Sequence, residues 1–177
     1  LQVGGMQLFR MESSDQSEKA LPRAAQIASA LGIIYLALTV IWAVLYWIFG
    51  MSGFDAIAHA MTTVATGGFS THDTSLGHYN SHAIDYVATL GMLIGGLPFI
   101  LFLKTLQGNW LSVPRDSQVQ WFLGFVAAVI AMTAVWLVYE VGKDPVQALR
   151  YASFNIVSVI TGTGYATEDY GLWGSFS

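Results

Sequence analysis

Apolar and polar positions alternate along this chain in blocks too long for a soluble fold. Residues 27–49 carry no charge, and Trp42, Tyr46 and Trp47 gather towards the end of that run. Residues 83–103 carry one, Asp85, near their start, and residues 121–139 carry none. About 20 apolar residues cross a bilayer as a helix, and aromatic side chains favour its interfaces. Each block is therefore expected to be a membrane-spanning helix. Gly91, Gly95 and Gly96 in the second are expected to pack closely against neighbours, and Pro98 to kink it.

Two mixed stretches lie between and after these runs: SGFDAIAHAMTTVATGGFSTHD at 52–73, and DPVQALRYASFNIVSVITGTGYATED at 144–169. In the first, Ser52-x-x-Asp55 is a capping box that starts a helix. It ends near Val64, about 18 Å long at ~1.5 Å per residue and so about half a bilayer. In the second, Asp144-Pro145 is an N-cap followed by proline at the first helical position, and the helix ends near Thr161. Both helices then meet a Thr/Gly turn, Thr66-Gly67-Gly68 and Thr161-Gly162-Thr163-Gly164. Inside a bilayer, non-helical backbone survives only where it is buried in protein or lines a watery path. Each stretch thus reads as a short helix that enters the membrane and returns as an extended loop.

The two halves repeat. A shift of 97 residues places Thr66 on Thr163, Gly67 on Gly164 and Ser70 on Thr167, with residues 27–49 roughly over 121–139. The expected division is the end of a preceding repeat's last helix plus a cytoplasmic linker at 1–26, a complete span–loop–span repeat at 27–103, a second linker at 104–120, and a further repeat at 121–177 that stops after its loop. The linker residues 11–23 are polar and expected to be solvated.

Composition narrows the class. Hydrophobic residues make up 54% of 177 and charged residues 10%, against roughly 25% charged in soluble domains. The fold class is an all-α membrane protein built of repeated span–pore helix–loop–span units. The net charge of −4 and the lack of a basic stripe give no support for nucleic-acid binding. Cysteine is absent, so disulfides and thiolate metal sites play no part. Arg10, Lys19, Arg23, Lys104 and Arg115, five of the seven basic residues, lie on the connections between repeats. The positive-inside rule then puts those connections in the cytoplasm and the loops outside, with Lys143 and Arg150 as exceptions.

A dehydrating cation needs oxygens in place of its water, and carbonyls of an extended Thr/Gly segment supply them as dipoles. The negative ends of the two short helices add to the attraction. The candidate ion-binding backbone is Val64, Ala65, Thr66, Gly67 and Gly68 in the first loop and Thr161, Gly162, Thr163, Gly164 and Tyr165 in the second. Tyr165 and Phe69 read as wedges that hold the turns, and Asn155 as a buried anchor behind the second. Asp85 is either a cation-recruiting group or an interfacial carboxylate at a helix start. His59, His72, His78 and His82 read as polar residues of the short helix and the outer exit, without a metal-ligand spacing. An enzyme is not expected: Gly68-Phe69-Ser70 lacks the second glycine of an intramembrane serine-protease turn, and G-x-G-x-x-G is missing.

The segments HAMTTVATGGFSTHDTS, FNIVSVITGTGYATEDYG and the opening VGGMQLFR resemble the Trk/Ktr superfamily of potassium-uptake proteins, most closely its TrkH branch. The resemblance covers essentially the whole chain. It implies four repeats around a pseudo-fourfold ion path, one filter glycine per repeat, and Gly67 and Gly164 as two of the four. It also implies K+ as the transported ion with no cofactor in this chain, membrane lipid around it, a homodimer, a cytosolic nucleotide-binding regulatory subunit of TrkA type, and the bacterial inner membrane as location. The turns depart from the TVGYG of tetrameric potassium channels, which leaves a less selective potassium/sodium transporter, or another pore-loop cation channel, as the alternative.

Overall fold

The computed structural model describes residues 5–167, with side chains from 24 onward. The last two residues of the 144–169 stretch and the rest of the chain to 177 lie outside the described residues, as do the first residues of the VGGMQLFR motif. All regular structure among the described residues is helical. Helix α1 is Gly5–Ile48, α2 Gly53–Val64, α3 His82–Gly95, α4 Phe99–Leu106, α5 Ser117–Tyr139 and α6 Pro145–Ile160. Among the described residues two helical segments are long and apolar enough to cross a membrane, Ala24–Ile48 and Ser117–Tyr139, and α3 with α4 makes a third if the bent pair is one span.

The backbone is helical through residues 11–23, so the expected linker is continuous with α1; its Glu, Gln, Lys, Ala and Leu residues are good helix formers. The span at 83–103, expected to kink at Pro98, is broken far more sharply, with α3 and α4 bent by 87° at residues 96–98. Pro98 lacks the N–H that would continue the ladder and stands immediately before α4.

The short helices begin and end where their caps direct. Ser52 Oγ accepts from the Asp55 N–H at 3.2 Å and donates to the Asp55 carboxylate at 2.7 Å. Asp116 caps α5 by accepting from the N–H groups of Gln118 and Val119. Proline opens α6, whereas the Asp144 side chain makes no capping bond.

Packing follows the small residues. Ala56 and Ala60 on α2 and Ala88 on α3 are buried in one core with Trp42, Tyr46, Ile84, Met92, Phe154 and Val157. In an apolar solvent, close van der Waals approach and interhelical hydrogen bonds hold helices together. Gly91 permits one such approach: a Cβ there would lie 2.2 Å from Trp42 Nε1 and 2.5 Å from Thr63 Cγ2. The Trp42 indole N–H donates to the Val87 carbonyl at 2.9 Å and fixes the crossing of α1 and α3.

Candidate functional site: paired loops after two short helices

The turn after α2 leaves the helix through Thr66 and Gly68, both in the left-handed region at φ 49° and 66°. The turn after α6 does the same through Gly162 and Gly164, at φ 72° and 85°. In each loop a residue two positions on repeats the reversal, so the backbone direction alternates. Threonine in this region costs roughly 1–2 kcal/mol where glycine costs little.

These pairs show that the repeat register is 96, one less than the shift that best aligns the Thr-Gly strings. The hydrogen bonds around each turn keep this register, and only the bonds from His59 to Ser70 and from Asn155 to Thr167 end one residue out of it. Gly68 N–H reaches the Thr62 carbonyl and Gly164 N–H the Ser158 carbonyl. The Thr62 hydroxyl donates to the Phe69 carbonyl at 2.9 Å, and the Ser158 hydroxyl to the Tyr165 carbonyl at 2.7 Å. His59 Nδ1 meets the Asp55 carbonyl and its Nε2 the Ser70 hydroxyl; Asn155 Nδ2 donates to the Tyr151 carbonyl and the Thr167 hydroxyl. Gly68, not Gly67, is therefore the counterpart of Gly164. Gly67 corresponds to Thr163 and does not have a positive φ.

The two loops touch. A Cβ on Gly68 would fall 1.8 Å from the Thr163 carbonyl oxygen, so only glycine lets that carbonyl lie against the first loop. Tyr165, buried, crosses to the back of α2: its hydroxyl accepts from the Thr63 hydroxyl and shares its own proton between the Thr62 hydroxyl and the His59 carbonyl, the latter at 3.2 Å. Thr63 in turn bonds the Tyr46 hydroxyl at 2.8 Å. A chain of hydroxyls thus runs from α1 through α2 to both loops. Tyr165 is a wedge as expected, but Phe69 is exposed among the described residues.

Both short helices end against the break in the second span. A Cβ on Gly95 would lie 2.7 Å from the Val64 carbonyl oxygen, and one on Gly96 3.2 Å from Thr161 Cγ2. The negative helix ends consequently converge there. Among the described residues no hydrogen bond engages the carbonyls of Thr66, Gly67 and Gly68 or of Gly162, Thr163 and Gly164. An unengaged row of carbonyls beside two negative helix ends is an arrangement that attracts a cation.

Outside the loops, the Asp55 carboxylate accepts from the Thr71 hydroxyl at 2.6 Å. The hydrogen bonds from Thr71 and Ser52 pull its pKa down to about 2. His72 Nε2 bonds the Tyr79 hydroxyl, and its ring stacks on His78 at 3.7 Å. A short 3-10 helix, Ser75–Tyr79, then ties the two exits together: Gly77 N–H reaches the Ala166 carbonyl, and Ala166 N–H the Ser75 hydroxyl. Asp85 is buried and faces Arg150 of α6, 3.7 Å from Oδ2 to Nη1. Neither expectation for Asp85 included this partner. Arg150 also stacks over the Tyr151 ring at 4.5 Å.

Comparison with known proteins agrees with this architecture. A family model described as TrkH, cation transport protein, matches residues 1–176. The Trk system potassium uptake protein TrkI of Halomonas elongata is 44% identical over 176 residues, 99% of this chain and 36% of that protein. The Trk system potassium uptake protein TrkH of Escherichia coli K12 is 38% identical over 181 residues, 99% of this chain and 37% of its own length. The crystal structure of the potassium transporter TrkH from Vibrio parahaemolyticus superposes with a TM-score of 0.82 at 33% identity, covering 86% of this chain and 34% of the other. The chain spans about a third of the length of these relatives. Matched from end to end by the family model and by relatives of this identity, the chain belongs to the TrkH family of cation transport proteins.

Proposed function

We propose that this chain forms part of the pore of a bacterial potassium-uptake system and conducts monovalent cations past the backbone carbonyls of its two loops. The observation that carries the reading is the pair itself: two turns of one conformation, 96 residues apart, each beginning at the end of a short helix and touching through Gly68 and Thr163. The carbonyls of residues 64–68 and 161–165 are the ion ligands, with Gly68 and Gly164 as the turning glycines. Two further loops from the rest of the chain close the ring. K+ is substrate and no cofactor takes part; the protein is a transporter and not an enzyme. It spans the inner membrane several times in contact with lipid. The homodimer and the cytosolic nucleotide-binding subunit belong to this proposal on the family resemblance.

Thr66-Gly67-Gly68 and Gly162-Thr163-Gly164 place their threonines differently around the same turn. An oxygen cage so built differs from loop to loop, which favours a second reading of weaker discrimination between potassium and sodium. The test is uptake by the full-length protein in cells lacking other potassium transporters, with and without excess sodium. Potassium uptake that sodium competes for weakly supports the first reading. Equal uptake of both ions supports the second, and no cation uptake overturns both.

A further inference from the structure

We propose that the α4–α5 connection seats the phosphate of an anionic phospholipid, held by Lys104 and Arg115 in a cleft at the headgroup level of the membrane. Such a seat depends on the chain spanning a bilayer and not on ions passing the two loops.

The cleft has a volume of about 310 Å³. Lys104, Asn109, Ser112 and Arg115 line it with donor groups, and Leu101 and Leu111 with apolar surface. The connection that carries these groups is tied to α4. The Ser112 hydroxyl donates to the Leu101 carbonyl at 3.0 Å and bonds the Thr105 hydroxyl at 2.8 Å. The Asn109 N–H closes on the Lys104 carbonyl and the Arg115 N–H on the Leu111 carbonyl, each at 3.1 Å. The backbone is thus set before a ligand arrives, which lowers the ordering cost of binding.

Two cations share the cleft with one carboxylate, Asp116, and that carboxylate is engaged elsewhere. Its Oδ1 accepts from the N–H groups of Gln118 and Val119 at the positive end of α5. Among the described residues neither Lys104 nor Arg115 has an ion-pair partner. A guanidinium fork takes two phosphate oxygens at once, and an ammonium beside it adds a point charge.

Depth decides which phosphate fits. Lys104 is the first charge after the apolar run that ends at Leu103, and Trp121 opens the next uncharged run. Trp121 is 80% exposed, and on the connection itself Leu106 and Trp110 are 70% and 74% exposed. Indoles favour the headgroup level, and basic side chains at the ends of spans reach to it along their apolar stems. A soluble phosphate offers nothing to Leu106, Trp110 and Leu111, whereas a phospholipid brings acyl chains. A choline headgroup would add a cation to a cleft that already holds two; an anionic headgroup does not, and anionic leaflets draw basic groups placed beside spans.

The test uses the full-length protein in nanodiscs of phosphatidylcholine, alone or mixed in equal parts with phosphatidylglycerol. An amine-reactive reagent is added, and modification of Lys104 and of Lys143, which lies over the Tyr151 ring away from the cleft, is read by mass spectrometry. Phosphatidylglycerol should lower Lys104 modification several-fold relative to Lys143, and inorganic phosphate added to phosphatidylcholine discs should not. An equal response of the two lysines, protection of Lys104 by inorganic phosphate, or a Lys104 already shielded in phosphatidylcholine by another part of the chain overturns the proposal. Native mass spectrometry reads the contact a second way. Released from the mixed discs, the wild type and Lys143→Gln should retain one phosphatidylglycerol more than the folded double variant Lys104→Gln/Arg115→Gln, and equal retention overturns the proposal. Neither readout involves uptake, so a failure here leaves the transport reading standing.

Discussion

At Gly68 two demands meet on one Cα. Its φ of 66° strains any other residue by roughly 1–3 kcal/mol, and its missing side chain makes room for the Thr163 carbonyl. Gly67 faces neither demand, since a Cβ there meets the Phe69 ring at an ordinary 3.6 Å. Gly68→Ala should abolish most potassium uptake while the protein still reaches the membrane; Gly67→Ala should retain far more, and Gly32→Ala, in open space on α1, should behave as wild type. Equal uptake by the Gly67 and Gly68 variants would reject the register. Asp55 makes a second residue-scale test. Its carboxyl is held at about 2 against an ordinary 3.8, so its contribution to stability is complete above 3.8 and lost as pH falls through about 2. The loss in melting temperature caused by Asp55→Asn should accordingly persist at pH 5 and shrink towards pH 2. A difference that disappears by pH 5 would show that the hydrogen bonds from Ser52 and Thr71 do not hold the charged form.

Among the elements, what the sequence revealed depended on whether the cause was local. The bounds of α2 and α6 were readable because Ser52, Asp55 and Pro145 act within one turn of themselves. The spans were readable because bilayer thickness fixes their length. The register was misjudged by one residue, because Thr-Gly occurs at 66–67 and 163–164 while the turns are set by bonds to Thr62 and Ser158 carbonyls. The 87° break was foreseen only as a kink: nothing local announces that two helix ends dock at Gly95 and Gly96. Least visible was the ion pair of Asp85 with Arg150, 65 residues apart in sequence. Breaking a buried pair costs about 3–5 kcal/mol because one charge is left without compensation, whereas replacing both partners can be nearly neutral. Asp85→Asn and Arg150→Met should each lower the yield of folded protein sharply, and the double variant should recover much of it. If the losses simply add, the two side chains do not act as a pair.

For the whole molecule, the pair also bears on which side of the membrane each loop lies. The positive-inside count had two exceptions, Lys143 and Arg150. Arg150 is buried against Asp85 and so is not a free charge on a connection. With it set aside, residues 50–82 carry no basic side chain, and Lys104 and Arg115 flank the α4–α5 connection. The exits of both loops lie together, because Gly77 and Ser75 bond to Ala166. One face of the protein thus holds both exits. The α4–α5 connection follows the bent pair α3–α4, which starts at that face and, as one span, would leave it, and Ser112 there bonds back to the Leu101 carbonyl at 3.0 Å. The basic-residue bias predicts a cytoplasmic connection and external exits. Single cysteines at Ser75 and Ser112 in the full-length protein test this arrangement, since the chain has no other cysteine among its 177 residues; any cysteine elsewhere in the full-length chain is first replaced. In intact cells a membrane-impermeant thiol reagent should label Ser75→Cys and spare Ser112→Cys, and opening the cells should expose the second. Because Ser75 contacts Ala166 and Ser112 contacts Leu101, slow labelling at either site is checked in detergent, where both should react. Labelling of both from outside, or of Ser112→Cys alone, would invert or break the topology and with it the direction of ion entry in the proposed function.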